Sequence, residues 1–188
     1  MSNPQPVRGC KKSINRMQLV EGPLTRVSRS VEISAPVAAV FAYYARPEHI
    51  AKTFPEDVSI RVTPVKVKDN FGVGTVFRIS GSFGGRDLEW DNETVEYEDN
   101  RLIRTKAING PFKKNDIAVH FQPMDGGTKL TFEADYELGY GLLGAAIDKL
   151  KIKKEVEMGI ERSCWMVKRY LENGKSSDAM ASEIGQGN

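Results

Sequence analysis

Four carboxylates occupy alternate positions in the stretch RDLEWDNETVEY, residues 86 to 97: Asp87, Glu89, Asp91 and Glu93, with Leu88, Trp90, Asn92 and Thr94 between them. Paired carboxylates perform general acid and base chemistry, as in glycoside hydrolysis, but only when two of them converge across a cleft. A period of two marks a β-strand, whose side chains alternate between faces, so the acids point one way and the uncharged set points the other. The alternation sends the acids to the solvent side and removes the glycosidase reading. The opposite face holds the chemistry. Asn92 and Thr94 carry donors and acceptors that burial obliges to find partners, either in a network at the sheet centre or in the carbonyl or hydroxyl of a bound molecule. Trp90, of the same parity, reads as wall or core.

Other reactive residue types are few. The Tyr136 hydroxyl reads either as a donor or proton-transfer group in a pocket or as a satisfied core hydroxyl. Arg29 shares the parity of Val27, Val31 and Ile33, so it either snorkels at a strand end or anchors an anion. His49 falls in a short helix that reads as exposed, and His120 lies on the outward parity beside Gln122. A general base must reach its substrate before its pKa matters, so neither histidine is expected to serve. With Cys10 and Cys164 the only cysteines, neither a metal site nor a disulfide framework is expected, and a reducing, cytoplasmic setting is the simpler reading.

The segment GYGLLG, residues 139 to 144, matches the pattern G-x-G-x-x-G after a strand and before a helix. That pattern binds a dinucleotide only within a βαβ unit whose next strand ends in an acid about 20 residues on. The residues beyond Gly174 do not read as a strand, so the glycines read as a sharp turn into the last helix, with Leu142 and Leu143 on a flexible rim. No cofactor is expected.

The 27 Lys and Arg residues are balanced by 25 Asp and Glu and interleaved with them, which leaves no basic block for nucleic acid. The run KLKIKKE, residues 149 to 155, reads as the solvated side of a helix. No apolar run reaches the ~18 residues of a membrane span. At 188 residues the chain suits one domain, residues 24 to 173, between a flexible arm at 1 to 23 and a polar, disordered tail at 174 to 188.

The elements that must position these residues follow from periodicity. A strand carrying Val27, Val31 and Ile33 ends at Ser34-Ala35-Pro36, where Ser34 reads as an N-cap with the proline just inside a short helix, PVAAVFAYYA. A second short helix, PEHIAKTF, precedes six strands of period two. Two of these, RDLEWDNETVEY and RLIRTKAIN, meet at Asp99-Asn100. A two-residue turn there makes opposed residues sum to 199, setting Thr94 against Thr105, Asn92 against Ala107 and Glu93 against Lys106. A long helix over 145 to 172 closes the chain, with Val156, Ile160, Cys164, Val167 and Leu171 on one stripe.

This order, with VSRSVEISAPVAAVFAYYARPEHIAKTF, VEYEDNRLIRT and the exit GYGLLGAAIDKLKIKKEVEMGIERSCWMVKRYL, resembles the START-related superfamily of polyketide cyclases, coenzyme Q-binding proteins and lipid-transfer domains, also called SRPBCC. The resemblance runs over residues 25 to 172 and is strongest at Ile33-Ser34-Ala35-Pro36 followed by Val40 and Phe41. It implies an α+β helix-grip fold: a curved seven-stranded antiparallel sheet around a long C-terminal helix, two short helices after the first strand, and an internal cavity. It carries no shared catalytic signature onto these residues.

Along the inward parity, Thr75, Gly81, Asn92, Thr94, Thr105, Ala107 and Ala134 are small or polar and leave room between sheet and helix. Phe77, Trp90, Phe121, Phe132 and Tyr136 are expected to wall that room, with Asn92, Thr94 and Thr105 orienting polar atoms. Leu142, Leu143, Met158 and Trp165 are expected contributors from the rim and helix. The expected function is binding of a hydrophobic or aromatic small molecule as carrier or sensor. The alternatives are a cyclase or dehydratase using the same cavity, with Tyr136 or Asn92 polarising a carbonyl, and a protein-interaction module using the charged stripes.

Overall fold

A computed structural model describes residues 24–52, 60–83, 86–139 and 149–173. The elements are β1 Thr25–Ile33, α1 Val37–Tyr44, α2 Pro47–Ala51, β2 Arg61–Lys66, a 3-10 turn Asp69–Phe71, β3 Val76–Phe83, β4 Arg86–Glu98, β5 Leu102–Ala107, β6 Phe112–Met124, β7 Gly127–Leu138 and the long helix α3 Lys149–Glu172. All strand pairings are antiparallel, in the order β1-β7-β6-β5-β4-β3-β2. This is the expected α+β helix-grip architecture. The proposed arm, the tail, Leu142, Leu143 and residues 145 to 148 lie outside the described residues.

Directly opposed residues share a sheet face, so the register sorts the inner face into rows. One row runs Phe77, Asn92, Ala107 across β3 to β5. Lys106 and Asp116 are paired, so the next step sets Ala107 abreast of Asn115, which is itself opposite Tyr136, opposite Thr25. A second row holds Thr94, Thr105, Ile117, Ala134 and Val27. It reaches Thr75, whose carbonyl accepts the Thr94 N–H at 2.9 Å. The third row, Tyr97, Ile103, Val119, Phe132 and Arg29, and the fourth, Phe121, Leu130 and Val31, are apolar apart from the arginine.

The core divides along these rows. Helix α1, through Val40, Phe41, Tyr43 and Tyr44, fills the space over the apolar rows together with Leu130 and Val167, both fully buried. Burial of such a side chain contributes about 1.5–3 kcal/mol. The α3 stripe then packs Ile160 and Cys164 on Val27, Ala134 and Tyr136, with Val156 at its edge. Helix α3 lies along β1 and is ~36 Å long at 1.5 Å per residue over its 24 residues.

Outside the sheet, Asp91, Asp116 and Asp135 each receive both a guanidinium Nε and Nη2 from Arg78, Arg104 and Arg26, at 2.7–3.1 Å. These hydrogen bonds hold the three carboxyls below the usual Asp range. The acids of RDLEWDNETVEY do face outward, yet Asp91 is covered by Arg78 and by Asn109, which donates to it at 2.7 Å.

Two sequence expectations are corrected here. Ser34 does not cap α1. Pro36 stands at the N-cap with no side-chain hydrogen bond, and Ser34 instead donates its N–H to Glu172 at the far end of α3, at 2.8 Å. The proline carbonyl accepts from Ala39 and Val40, so the helix begins one residue after the proline instead of on it. The β4–β5 turn is also one residue longer than expected. Glu98 opposes Leu102, Asn100 takes a φ of 58° and Arg101 is the third turn residue. An extra residue, Val95, bulges between Thr94 and Glu96 and restores the sum of 199 for Thr94 with Thr105 and Asn92 with Ala107. The bulge switches the inward parity, which is why Tyr97 and not Glu96 packs on Phe41.

Candidate functional site

The inner face of β3 to β6, in the first two rows, is where uncharged polar groups collect. Thr75, Phe77, Trp90, Asn92, Thr94 and Thr105 are all buried, and all lie outside the two core clusters that hold α1 and α3. Of the expected site residues, the structure brings Phe77, Trp90, Asn92, Thr94 and Thr105 onto one continuous surface, with Tyr136 two strands further along the first row. Its other two aromatics go elsewhere. Phe121 is locked in the core against Phe41 and Tyr44, with ring centroids at 5.0 and 5.8 Å. Phe132 sits at the margin of both clusters, opposite Val119 and Arg29.

Helix α3 meets the sheet with its expected stripe, but not with the expected contributors Met158 and Trp165. Met158 and Trp165 are 50% and 54% exposed, on the side away from Ile160, Cys164 and Val167, and Arg169 lies over the Trp165 ring. Trp165 follows Cys164 by one residue, which is a rotation of about 100° away from the buried stripe. Arg29 lies in the middle of β1 with its side chain 39% exposed, its Nη2 3.7 Å from Glu157 of α3 and its Nη1 donating to the Ser28 carbonyl.

Two residues of this face were not foreseen. Asn115 is buried opposite Tyr136, and continuing the parity of Ile117 back by one step would have found it. The rings of Phe112 and Trp90 meet in a T-shaped arrangement, centroids 5.1 Å apart. Phe112 lies beyond a bulge at Lys113 that breaks the alternation.

The described side chains of this face in the first two rows of β3 to β6 are uncharged. The polar groups of the face are two amides, three threonine hydroxyls and the Tyr136 phenol, which burial pushes above its usual value. Asn92 is 1% exposed, and its carbonyl oxygen Oδ1 has no hydrogen-bond partner among the described residues. Cys164 is pushed up to about 11 by burial, so it is a packing thiol and not a nucleophile. Among the described residues no three His, Cys, Asp or Glu side chains gather as metal ligands. Such a surface can bind, orient and hydrogen-bond to a carbonyl or hydroxyl.

The family described as polyketide cyclase / dehydrase and lipid transport matches residues 25–172. The chain belongs to this family. Solved structures with the same fold include the Thermus thermophilus protein TTHA0849, 22% identical, covering 82% of this chain and 100% of that one with a TM-score of 0.66. The Zhui aromatase/cyclase from Streptomyces sp. R1128 is 17% identical over 83% of this chain and 98% of its own, TM-score 0.64. A START superfamily protein from Mycobacterium smegmatis is 17% identical over 79% and 97%, TM-score 0.63. No curated protein matches the chain in sequence. The likeness to these structures is one of fold, the curved sheet and the long helix.

His49 is buried, contrary to the expectation of an exposed histidine. Its Nδ1 donates to the Tyr43 carbonyl at 3.2 Å, the Tyr43 hydroxyl donates back to the His49 carbonyl, and the two rings lie 5.1 Å apart. Burial lowers its pKa, outweighing the hydrogen bond to Tyr43 and the charge of Glu48. The unfolded chain takes up this proton near the ordinary value of about 6.5, and the folded chain only at lower pH. The folded state is therefore penalised progressively as pH falls below about 6.5. Thermal midpoints measured from pH 8 to 5 are expected to decline in the wild type and to decline less in His49→Gln; equal slopes would refute this role for His49.

Proposed function

We propose that the chain binds a hydrophobic small molecule against the inner face of β3 to β6, as a carrier or sensor. The observation that carries this reading is the row Phe77, Asn92, Ala107, Asn115, Tyr136. Ala107 leaves a gap between two buried amides that stand two strands apart, ~9–10 Å at the usual strand spacing. Aromatic rings flank the gap at Phe77, Trp90 and Phe112. Inner-face residues of central strands, Ile79, Ala107 and Ile117, remain partly accessible, which supports open space above them. No helix among the described residues is long and apolar enough to cross a membrane, and the two cysteines suit the proposed cytoplasmic setting.

A second reading, a cyclase or dehydratase acting in the same space, is favoured by the family's description and by the fold shared with the Zhui aromatase/cyclase. Asn92→Ala separates the two. In a carrier it weakens binding itself, whereas in an enzyme it lowers kcat with little change in binding. The interaction-module reading is the weakest, since Asp91, Asp116 and Asp135 are each already held by an arginine of the same sheet.

Native mass spectrometry of protein purified from its own host is expected to reveal a co-purifying small molecule. Ala107→Phe fills the proposed space. It is expected to weaken binding of that molecule at least tenfold while changing stability by less than about 1 kcal/mol. In a packed interior the same substitution would cost about 1–3 kcal/mol, and that outcome would contradict the proposal.

A further inference from the structure

Resting on that reading, we infer that the bound molecule is a neutral, ring-containing compound bearing a hydroxyl or N–H group, and that Asn92 Oδ1 accepts its hydrogen. Native folds give nearly every buried polar atom a partner, and Asn92 is an exception at the centre of this face, its side-chain oxygen buried and unpartnered among the described residues. Its neighbours along the row cannot satisfy it. Phe77 on β3 and Ala107 on β5 stand directly opposite, and neither side chain has a donor.

The chemistry of that oxygen is directional. A carboxamide oxygen only accepts, so a ketone, quinone or ether oxygen placed against it adds a second acceptor and gains nothing. A phenol, alcohol or amide N–H completes the pair. The molecule should also be uncharged. The flanking acids of β4, Asp91 and Glu93, alternate to the opposite face, where Arg78 and Lys106 stand across from them. Among the described residues of β3 to β6, an ion at the first two rows would meet hydroxyls and amides with no countercharge, a costly environment. Phe77, Trp90 and Phe112 present ring surface suited to an aromatic skeleton.

Three probes of one shape test this: 2-naphthol, which donates, 2-methoxynaphthalene, which only accepts, and naphthalene, which does neither. Titration of the full chain by calorimetry is expected to give at least tenfold tighter binding of 2-naphthol than of the other two. Asn92→Leu is expected to abolish the preference, so that 2-naphthol binds no tighter than naphthalene does to the same variant. Equal binding of 2-naphthol and 2-methoxynaphthalene by the wild type would overturn the inference while leaving a hydrophobic site in place. Binding of none of the three would instead remove the reading on which it rests. The wild-type comparison decides by itself if Asn92→Leu does not fold.

Discussion

Gly110→Ala is expected to lower the thermal midpoint by about 10 °C and to change the fluorescence of Trp90. Gly110 takes a φ of 96°, which a residue with a Cβ adopts at a cost of about 1–2 kcal/mol. The added carbon would also stand 2.4 Å from the Trp90 Cβ and 3.0 Å from the Glu89 carbonyl oxygen. Neither atom is the free end of a flexible side chain, so the loop and β4 must separate, at the overpacking cost of about 1–3 kcal/mol. A total near 3 kcal/mol converts to about 10 °C for a domain of this size. The loop is otherwise stapled to the strand. The Asn109 Oδ1 accepts the Asp91 N–H at 2.6 Å and its Nδ2 donates to the Asp91 carboxylate.

Gly126→Ala is the control that isolates the contact. Gly126 also has a positive φ, 79°, but nothing lies within 4 Å of its added carbon. It is expected to lose only the conformational part, about 1–2 kcal/mol. A Trp165→Phe background leaves Trp90 as the sole indole. Equal losses for the two glycine variants, or an unchanged Trp90 spectrum, would mean that the loop does not hold Trp90 in position. Because Trp90 stands beside Asn92's face, weaker ligand binding should accompany the spectral change.

How much of this was legible in the chain depends on the kind of signal. Alternation identified β4 and its uncharged face directly, because a one-step slip would turn every acid inward. The pairing of Thr94 with Thr105 and Asn92 with Ala107 was also legible, although for an incomplete reason. The longer turn and the Val95 bulge offset each other, and neither leaves a mark in composition. Asn115 is not legible because the polar run Lys113-Lys114-Asn115-Asp116 shows no apolar alternation before Ile117, and Phe112 because the Lys113 bulge interrupts parity. His49 was misplaced because a five-residue helix is too short to show which side is covered; Tyr43, six residues away, decides it. Trp165 and Met158 were drawn inward by their apolar character, whereas the periodic stripe already assigned the buried side to Ile160, Cys164 and Val167. Hydrophobicity alone is a weak guide at single positions, since much of a folded surface is apolar.

The junction that carries the family resemblance gives the second large effect. Gly127→Ala is expected to destabilise the fold by about 3 kcal/mol, at the upper end of overpacking costs. Gly127 opens β7 after the tight turn at Asp125-Gly126, and an added Cβ would lie 2.1 Å from the Ile33 carbonyl oxygen, 3.0 Å from its carbon and 3.1 Å from the Ser34 Cα. All three are backbone atoms, so no rotamer change relieves them and β1 must be pushed off β7 where it turns into α1. The adjacent Thr128, fully buried, donates its hydroxyl to the Ala35 carbonyl at 2.8 Å. That bond fixes the Ser34-Ala35-Pro36 corner, and with it the angle at which α1 brings Val40 and Phe41 onto the core. Thr128→Val, which keeps the shape and deletes the donor, should cost about 1–3 kcal/mol by stranding the carbonyl. Chemical denaturation of both variants measures the two losses. A Gly127→Ala protein as stable as the wild type would show that the corner yields freely, and the Ala-Pro junction would then be a sequence habit of the fold without the structural duty assigned to it.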